Sequence, residues 1–483
     1  MKKIISRELE LDLFKKIISS DKAEFLAVYG RRRVGKTYII REFFSEKSLF
    51  CEVTGVKGEP MSRQLSEFAS AVSGVFFNHV SIGTPNNWHE AFDLILKTVS
   101  SWNRKEPFVL FLDELPWLST LHSDCLSALD HYWNKFFSRI PHFKLVVCGS
   151  AASWMLDKII NAKGGLHNRL TQTLLLKPFD LSQTVEYLKY LGMRWSEKQV
   201  LALYMVMGGV PFYLDQLNKK ESLVQNINRL CFSEAGFLQI EFPKLFASLF
   251  DMAIENMRFV RAIAAQRNGI ERALLLEKLK LPSGGNATAR LAELEAAGFI
   301  KSYRPYGKTV RNMFYRVIDE YVLFYLRWIE GPLSSGHPFA MGYWDTKQKS
   351  PDFLAWSGLA FENICLKHVE KIRDQLGLKR IGCQYSSWSY TPAKKSTESG
   401  AQIDLLIDRD DEVITLCEIK YSSQKYVLDK TTAKNLLKKV EVFKSLTKTT
   451  KQVEMVLIST FGLKPGVWVD EVLAKDIDAS ALF

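Results

Sequence analysis

The sequence lacks any long uncharged apolar run and any closely spaced pair of cysteines. No window approaches the roughly eighteen uncharged apolar residues that a membrane-spanning helix needs, and the N-terminal stretch MKKIISRELELDLF has no apolar segment before a small-residue cleavage site. The seven cysteines are scattered without a CxxC pair, which favours reduced thiols in the core over a disulfide framework. We therefore expect a cytoplasmic protein with no membrane partner.

Length and charge narrow the remaining classes. At 483 residues the chain is too long for one core, and about 150 residues per domain predicts two to four domains. Lys and Arg number 65 against 53 Asp and Glu, for a net charge of +12. From Pro351 onward the counts are 19 against 18, so nearly all of the excess lies upstream. A nucleic acid is thus a plausible partner for the body of the chain, although a basic surface is also an ordinary route to solubility.

A glycine-rich segment between a short apolar strand and an apolar helix predicts a phosphate site. In EFLAVYGRRRVGKTYIIREFF, backbone N–H groups can curl around phosphate oxygens at a helix N-terminus. Lys36 would reach the outer phosphates, and the Thr37 hydroxyl would be a magnesium ligand. The candidate nucleotide-binding residues of this loop are Gly30, Arg31, Arg32, Arg33, Val34, Gly35, Lys36, Thr37 and Tyr38. The three arginines are not needed for such a cradle, and nothing in the sequence accounts for them.

Two further apolar strands end in polar residues. Phe108 to Leu112 is typical of a parallel strand buried on both faces, and Asp113 and Glu114 follow it. Asp113 would hold magnesium through water or Thr37, and Glu114 would polarise the attacking water. The strand in FKLVVCGSAASWM ends at Ser150, which would either read the γ-phosphate or cap a helix. Strands that alternate with helices predict a doubly wound parallel α/β sheet with its ligand at the carboxyl ends of the strands.

The middle of the chain has helical periodicity from about 180 to 250, which predicts a helical lid on this sheet. From Asp251, two helices joined by a Gly/Ser turn and followed by a basic hairpin predict a winged helix. Its recognition helix would run from Asn286 to Ala297 and its wing from Tyr303 to Arg311.

The expected winged helix carries a basic surface that could lie on phosphates. Its basic residues are Arg290, Lys301, Arg304, Lys308 and Arg311. One arginine on the helix does not support sequence-specific readout. The alternative is a module that only connects domains and contacts the phosphate-site domain. YVLFYLRWI, at 321–329, predicts a buried helix, and the following SSGHPFAMGYWDTKQKSPD has no apolar period and predicts a linker.

The C-terminal part carries acidic residues in apolar surroundings. An amphipathic helix has its apolar face interrupted at Glu362, and a hairpin of 402–407 and 413–420 would place Asp404, Glu418 and Lys420 on one face. With the turn near Asp410, Asp404 would lie diagonally across from Glu418, within reach of one cation. The alternative is a half-buried hairpin with a solvated face. We expect His368, six residues after Glu362, on the surface.

These motifs resemble the prokaryotic "archaeal ATPase" family of AAA+/STAND-like P-loop ATPases. The resemblance is carried by Arg7-Glu8-Leu9, GRRRVGKT, FLDELPWL, CGSAASWM, Arg169 in LHNRLTQTLLLKPF, and Gly209-Val210-Pro211. It implies ATP as ligand, Arg7 near the adenine, Ser150 as sensor, and the turn at Pro211 closing over the nucleotide. It also implies Arg169 as an arginine acting on a neighbouring copy in a homo-oligomer. On the residues alone, Arg169 could instead pair with a core carboxylate and Pro211 could only start a helix.

The spacing of Glu362, Asp404, Glu418 and Lys420 resembles the PD-(D/E)xK nuclease superfamily. The resemblance implies that Asp404 and Glu418, with the Ile419 carbonyl, bind Mg²⁺. It also implies that Lys420 orients or activates water and that Glu362 supports the metal from its helix. Hard cations take oxygen ligands, and a metal-bound water beside a lysine is a suitable nucleophile for a phosphodiester.

The expected fold class is α/β: a P-loop doubly wound parallel sheet with a helical lid, a winged helix, and a C-terminal α/β restriction-endonuclease-like domain. The expected divisions are a P-loop ATPase core (1–180), a lid (181–250), a winged helix (251–330), a linker (331–350) and a nuclease-like domain (351–483). The leading expectation is an ATPase that associates with nucleic acid, DNA in preference to RNA, and cleaves or binds it with Mg²⁺. The alternatives are a regulatory ATPase switch with an inactive nuclease-like scaffold, and a DNA-binding regulator that does not cut.

Overall fold

The computed structural model describes residues 4–101, 106–120, 123–161, 168–309, 312–336, 339–340, 342–392 and 400–483. Within these ranges, none of the helices has both the length and the hydropathy required to cross a membrane.

The first part of the chain forms a parallel sheet. Its strands are β1 (Glu24–Tyr29), β2 (Leu49–Thr54), β3 (Phe108–Asp113), β4 (Phe143–Gly149) and β5 (Gln172–Leu175). Its helices are α1 (Glu8–Ser19), α2 (Lys36–Phe44), α3 (Met61–Phe76), α4 (Trp88–Ser100), α5 (Leu115–Leu118), α6 (Cys125–Lys135) and α7 (Ala152–Met155). The strand order is β2-β3-β4-β1-β5, and all neighbours are parallel. The predicted parallel α/β sheet is confirmed.

Both faces of this sheet are covered, as the continuous apolar strands predicted. One face packs against α3, α4 and α6, and the other packs against α1 and α2. Because β1 lies between β4 and β5, and β3 lies beside β4, the loops after β1, β3 and β4 meet at one edge of the sheet. This topology brings the glycine loop, Asp113 and Ser150 together.

A set of helices follows the sheet, as the apolar periodicity predicted. They are α8 (Leu181–Tyr190), α9 (Glu197–Met207), α10 (Pro211–Leu214), α11 (Leu223–Ile227) and α12 (Phe237–Leu249). Three of them begin at a capping box. In each, the N-cap side chain accepts a hydrogen bond from the backbone N–H at N3, and the Gln side chain at N3 accepts one from the backbone N–H of the N-cap residue. The N-caps are Asp180, Ser196 and Ser222. These local signals fix the starts of the helices.

Three helices and a small antiparallel sheet come next. They are α13 (Ala253–Ala264), β6 (Ile270–Glu271), α14 (Arg272–Leu279), α15 (Gly285–Ala296), β7 (Ile300–Tyr303) and β8 (Phe314–Val317). The strand order is β6-β8-β7. The predicted helix–turn–helix and hairpin are therefore present, with residues 310–311 of the hairpin loop, including Arg311, outside the described residues.

The segment expected as a linker is packed into the core, which corrects the prediction for 331–350. The chain continues as α16 (Glu320–Phe324), a π-helical turn at Tyr325–Ile329, α17 (Glu330–Ser334) and α18 (Tyr343–Lys347). Trp344 is 2% exposed and stacks on Phe232 with ring centroids 5.5 Å apart. Its backbone N–H donates to Asn228. Phe339 and Tyr343 also lie against Phe232, each with ring centroids 5.0 Å apart. These aromatic side chains anchor a segment in which the apolar periodicity does not reveal the contact.

The C-terminal part has a mixed five-stranded sheet. Its elements are α19 (Pro351–Lys367), α20 (Val369–Gln375), β9 (Cys383–Tyr390), β10 (Ala401–Arg409), β11 (Val413–Lys420), α21 (Lys430–Thr447), β12 (Gln452–Ser459), α22 (Val467–Val472) and β13 (Lys475–Asp478). The order is β13-β12-β11-β10-β9, antiparallel among β9, β10 and β11 and parallel from β11 to β13. The helices α19 and α21 cover opposite faces. The hairpin is confirmed, whereas β13 was not predicted.

His368 is buried, contrary to the expectation of a surface histidine. Its ring is 5% exposed, and Nε2 accepts a hydrogen bond of 3.2 Å from the Leu181 N–H at the start of α8. Burial lowers the pKa of His368 to about 4. The side chain therefore joins the end of α19 to the helical region as a neutral acceptor.

Candidate functional site

The glycine loop has the backbone that a phosphate cradle requires. Gly30 has φ +137°, and a Cβ there would approach the Leu176 carbonyl oxygen to 2.4 Å. Gly35 has φ +91°, immediately before α2, and a Cβ on it would meet no atom within 4 Å. L-residues rarely adopt these conformations, so glycine is needed at both ends of the loop. The open space at Gly35 fits a ligand that approaches the helix N-terminus closely.

Lys36 is nearly fully buried within the loop. Its Nζ donates to the carbonyl oxygens of Gly30 and Arg31, at 3.0 and 3.1 Å, and to Ser150 Oγ at 3.1 Å. Burial lowers the pKa of Lys36, opposed by neighbouring acidic groups. An ammonium group bound only by neutral oxygens in a buried loop is placed to pair with an anion, and phosphate oxygens would supply that charge.

The predicted magnesium residues meet. Thr37 Oγ1 donates to Asp113 Oδ2 at 2.8 Å, and Cys148 Sγ donates to Asp113 Oδ1 at 2.8 Å. Burial raises the pKa of Asp113. A hydroxyl and a carboxylate are the oxygen donors that Mg²⁺ takes in a nucleotide site, so these residues fit that ion. Cys148 was not predicted as part of the site, because a cysteine in an apolar strand reads as core.

Glu114 and Ser150 form the third part of the site. The backbone N–H of Ser150 donates to Glu114 Oε2 at 3.0 Å, and Ser150 Oγ donates to Oε1 at 2.5 Å. Glu114 has φ +47°, a conformation that non-glycine residues adopt at a cost and that clusters at functional sites. The N-cap of α7 is Ala151, so the helix-cap alternative for Ser150 is not what the structure has. Ser150 instead orients Glu114 beside Lys36.

Arg7 and the turn at Pro211 both reach the glycine loop. Arg7 Nη2 donates to the Val34 carbonyl at 3.4 Å and to the Lys177 carbonyl at 2.9 Å. Pro211 begins α10, and the next residue, Phe212, donates its N–H to the Arg33 carbonyl at 3.4 Å. Pro211 therefore starts a helix and also places that helix against the loop. Both residues lie where nucleotide contacts were predicted.

Two of the three loop arginines pair with acidic side chains of distant segments, which accounts for side chains that a phosphate cradle does not need. The Arg31 side chain is buried and forms an ion pair with Asp319, at the start of α16. Arg33 pairs with Glu241 at 2.7 Å and lies over the Phe212 ring. Only their backbone remains available to phosphates. Buried arginines stay where partners satisfy the guanidinium, and those partners come from distant segments that the sequence does not connect.

Arg32, Tyr38 and Arg169 have less defined surroundings. Arg32 is half-buried, and Tyr38 lies on α2 with its ring 39% exposed. Arg169 is exposed in the turn before β5, and among the described residues it forms no ion pair. Pairing of Arg169 with a core carboxylate is therefore not seen within the described part of the chain.

A second cluster of charged residues lies on the C-terminal sheet. The register pairs Leu405 with Cys417, so the turn is centred near Asp411, one residue later than predicted. Asp404 lies where the pairing of β10 with β9 shifts, between Ile403 and Leu406. Asp404 Oδ2 accepts the Ile419 N–H at 3.0 Å. Burial raises the pKa of Asp404, and the Glu418 carboxylate adds to the effect.

Glu362 reaches this cluster from α19. Burial raises the pKa of Glu362 to about 7, and the negative charge of Asp404 contributes further. Arg316 on β8 lies 3.9 Å from the Glu362 carboxylate, and Arg267 is close enough to act on its pKa in the opposite direction. Glu362 therefore lies within electrostatic reach of Asp404 and Glu418, and its part in a shared metal site stays a prediction.

Lysines from two elements hold Glu418. Lys420 Nζ donates to Oε1 at 2.7 Å, as the shared strand face predicted, and Lys439 Nζ on α21 donates to Oε2 at 2.5 Å. Lys439 and Arg316 were not predicted. Lys439 lies on a lysine-rich face of α21, and Arg316 lies on a strand of the preceding module. Their proximity to the acidic residues is visible only in the tertiary structure.

The acidic cluster on the C-terminal sheet is a less complete metal site than the pair of Thr37 and Asp113 in the first domain. Among the described residues, no group of three His, Cys, Asp or Glu side chains converges as a ligand set. Asp404 and Glu418 offer two carboxylates, and the raised pKa values of Asp404 and Glu362 show negative charge that is not fully balanced. Carboxylate oxygens and a backbone carbonyl fit a hard divalent cation. These oxygen donors are of the type that Mg²⁺ prefers, and Glu362 would lie outside the set of direct ligands.

The predicted nucleic-acid residues are divided between surface and interface. Lys301, Arg304 and Lys308 are exposed, whereas Arg290 on α15 is bound to Glu293 at 2.6 Å. The helix α15 packs against α7 of the first sheet. Tyr306 donates its N–H to the Ser387 carbonyl at 2.8 Å, so the β7–β8 loop contacts the C-terminal sheet. The helix α15 thus contacts the first domain, and the exposed basic residues lie on β7 and in the β7–β8 loop. DNA binding by this module stays a prediction.

Comparisons with known proteins concern mainly the part of the chain that carries the first site. Residues 4–217 match a family described as an ATPase domain predominantly from Archaea. An ATP-binding protein of Methanocaldococcus jannaschii, the uncharacterized MJ0423, is 38% identical over 52 residues, which cover 10% of this chain and 88% of that protein. The first part of the chain is therefore similar to an ATPase domain, and the matched range extends through α10.

Two longer similarities extend beyond that domain. The uncharacterized protein MJECL04 of Methanocaldococcus jannaschii is 22% identical over 429 residues, or 87% of this chain and 88% of that protein. The Walker-type ATPase PABY2304 of Pyrococcus abyssi aligns with 67% of this chain and 96% of its own, with 18% identity and a TM-score of 0.51. The latter similarity concerns the fold.

Proposed function

We propose that the chain is an ATP-hydrolysing, nucleic-acid-associated protein whose C-terminal domain is a magnesium-dependent nuclease of the PD-(D/E)xK type. The observation that carries the proposal is the pair Asp404 and Glu418 on neighbouring strands, with Lys420 on Glu418 and Glu362 within electrostatic reach. Helix, mixed sheet and covering helix are the architecture expected of such a domain.

In the ATPase domain the residues have separate tasks. The backbone of 30–35 and Lys36 would hold the phosphates, and Thr37 and Asp113 would hold Mg²⁺, which neutralises charge on the phosphates when bound. Glu114 would accept a hydrogen bond from the attacking water, and Ser150 fixes the orientation of that carboxylate. Arg169 is exposed and would act on the site of a neighbouring copy, as an arginine finger does.

In the C-terminal domain Asp404, Glu418 and the Ile419 carbonyl would hold Mg²⁺, which supplies a polarised water and a Lewis acid for a phosphodiester when bound. Lys420 is placed to orient that water, because its ammonium already lies 2.7 Å from Glu418. Lys439 balances Glu418 from the other side. Arg316, beside Glu362, is a cation that could face a substrate phosphate.

The module between the two sites, α13 to β8, would be a winged helix. The order of three helices and a three-stranded antiparallel sheet supports this assignment. It would contact the nucleic acid backbone through Lys301 on β7 and through Arg304 and Lys308 in the β7–β8 loop, all of which are exposed. DNA is the expected partner.

A second candidate is a regulatory ATPase switch with an inactive nuclease-like scaffold. The observation that favours it is the saturation of Glu418 by two lysines, together with the absence of a three-residue metal set among the described residues. In that case the C-terminal charges would hold the fold or a protein partner rather than a metal.

A cleavage assay separates the two. Wild type, Glu418→Ala and Lys36→Ala are incubated with single- and double-stranded DNA and RNA, with Mg²⁺ and with or without ATP. Glu454→Ala removes a carboxylate from the neighbouring strand near the hairpin turn, where Glu454 pairs with Arg409, and is the matched control. The proposal predicts cutting that disappears in Glu418→Ala, is retained in Glu454→Ala, and loses its ATP response in Lys36→Ala.

The same proteins and substrates also test the regulatory-switch alternative. ATP turnover without cutting of any substrate would contradict the nuclease proposal and favour the switch. Cutting that survives Glu418→Ala would place the activity elsewhere or in a contaminant.

A further inference from the structure

Five consecutive residues, 316–320, contact both candidate sites. Arg316 ends 3.9 Å from Glu362, Asp319 pairs with Arg31 of the phosphate loop, and Glu320 pairs with Lys367 of α19. We call residues 316–320 the coupling segment. It joins β8 to α16 and lies between the ATPase domain and the C-terminal sheet.

At the ATPase end, the contact is tied to the phosphate cradle itself. Lys36 Nζ donates to the Arg31 carbonyl at 3.1 Å and the Gly30 carbonyl at 3.0 Å. A phosphate that binds Lys36 competes with these carbonyls, because an ammonium group has only three donors. Nucleotide binding is therefore expected to change the backbone at Arg31, whose guanidinium holds Asp319.

Separation of the Arg31–Asp319 ion pair would cost a large free energy. Their side chains are 5% and 2% exposed, and a buried charge that loses its partner is strongly destabilising. Asp319 is also the N-cap of α16, since its Oδ1 accepts the Val322 N–H at 2.9 Å. A displacement of Arg31 is thus carried to the start of α16 instead of being absorbed by solvent.

At the other end, the segment holds the helix that carries Glu362. Glu320 accepts from Lys367 Nζ at 2.7 and 2.9 Å, and the Val317 carbonyl accepts from Asn363 at 3.4 Å. With Arg316 on Glu362, three successive contacts fix α19 over one and a half turns, between Glu362 and Lys367.

The turn at residues 208–211, which we call the lid turn, packs closely against the coupling segment. Gly208 has φ +63°, and a Cβ there would lie 2.7 Å from a Glu320 carboxylate oxygen. Two residues further on, Val210 precedes Pro211 and α10, which contacts the loop at Arg33. Loop, lid turn and coupling segment therefore pack as one unit, so that a change in one requires a change in the others.

We propose that the coupling segment transmits nucleotide occupancy of the phosphate loop to the position of Glu362, so that ATP regulates the C-terminal acidic site through the Arg31–Asp319 and Glu320–Lys367 ion pairs. The proposal rests on the proposed function only for what that acidic site does. Because coupling is reciprocal, occupation of the acidic site would also alter nucleotide affinity.

Hydrogen–deuterium exchange of the full chain tests this without requiring cleavage. A non-hydrolysable ATP analogue with Mg²⁺ is added to wild type, and peptides covering 30–44, 314–324 and 353–367 are followed. We expect slower exchange at 30–44, and changes of about fivefold or more at the other two, the lower end of ordinary allosteric coupling.

Asp319→Asn is the central variant, because asparagine retains helix capping but not the charge that pairs with Arg31. In this variant the analogue should still protect 30–44 and should no longer alter 353–367. Glu330→Gln breaks the exposed pair with Arg261 in the same region and should respond as wild type. If Asp319→Asn does not fold, Lys367→Met cuts the relay at its far end, with the same expected loss at 353–367.

Each outcome bears on one claim. Protection at 30–44 in wild type without change at 314–324 and 353–367 overturns the coupling and leaves the ATPase assignment intact. An undiminished response at 353–367 in both Asp319→Asn and Lys367→Met overturns the ion-pair route. No protection at 30–44 overturns nucleotide binding itself, and with it the ATPase part of the proposed function.

Discussion

Among single residues, Glu362 gives the clearest pH dependence. Its pKa is raised from 4.5 to about 7, by burial first and by Asp404 next. A folded carboxyl group with a raised pKa binds protons that the unfolded chain has already released. Stability therefore falls as pH rises from 4.5 to 7, and at about 1.4 kcal/mol per pKa unit the loss from this group is about 3 kcal/mol.

We predict that Glu362→Gln is more stable than wild type at pH 8 by up to about 3 kcal/mol, and nearly equal to it at pH 4.5. The difference arises because the amide has no proton to lose. Urea unfolding of both proteins across this pH range measures it. Glu370→Gln, on an exposed face of the next helix, is the control and should leave the pH dependence unchanged. A constant difference between Glu362→Gln and wild type at every pH would contradict the prediction.

Single residues also mark what the sequence could and could not show. The roles of Lys36, Thr37 and Asp113 were predictable because their spacing follows from a strand, a loop and a helix that are contiguous in the chain. The partners of Arg31 and Arg33 were not, because Asp319 and Glu241 are more than 200 residues away. A buried ion pair between distant segments has no signature in periodicity or local composition.

Among helices and strands, long periodic segments were predictable and short irregular ones were not. The parallel strands β3 and β4 and the hairpin β10–β11 follow from continuous or alternating apolar residues. The prediction for 331–350 failed because the packing of this segment depends on Phe339, Tyr343 and Trp344, which follow no helical or strand period. The turn of the hairpin is centred one residue later than predicted, because the sequence does not specify which residues occupy a turn with Glu412 at φ +62°.

We predict that Trp344→Ala lowers the free energy of unfolding by about 3–5 kcal/mol, as expected for removal of a buried aromatic ring. The ring packs against Phe232, Phe324 and Trp328, so its removal leaves a cavity between α18 and the preceding helices. Chemical denaturation measures the change. Leu333→Ala, in the same segment but 37% exposed, should cost much less. Equal, small effects of both substitutions would restore the linker interpretation.

At the scale of the whole molecule, exposed basic residues on β7 and in the β7–β8 loop are candidates for contact with DNA, whereas Arg290 on α15 is bound to Glu293. We predict that combined alanine substitution of Lys301, Arg304 and Lys308 weakens DNA binding and lowers the slope of log affinity against log salt, by roughly 0.9 for each phosphate that the variant no longer neutralises. Fluorescence anisotropy over a salt series measures both quantities.

The control removes three exposed lysines from the first domain, Lys15, Lys97 and Lys135. It should leave the slope unchanged, because these residues lie away from the β7–β8 loop. Equal decreases in affinity and slope for the two triple variants would contradict a specific role for the loop and indicate only a net-charge effect.

The central claim is that one chain holds a nucleotide–metal site and a separate metal site on its C-terminal sheet. Titration of Mn²⁺ into the full chain with a non-hydrolysable ATP analogue, followed by electron paramagnetic resonance of the free ion, tests it most directly. We predict two classes of bound Mn²⁺ in wild type, of which Asp404→Asn removes one and Lys36→Ala weakens the other. A single class that is unchanged by Asp404→Asn would contradict the claim.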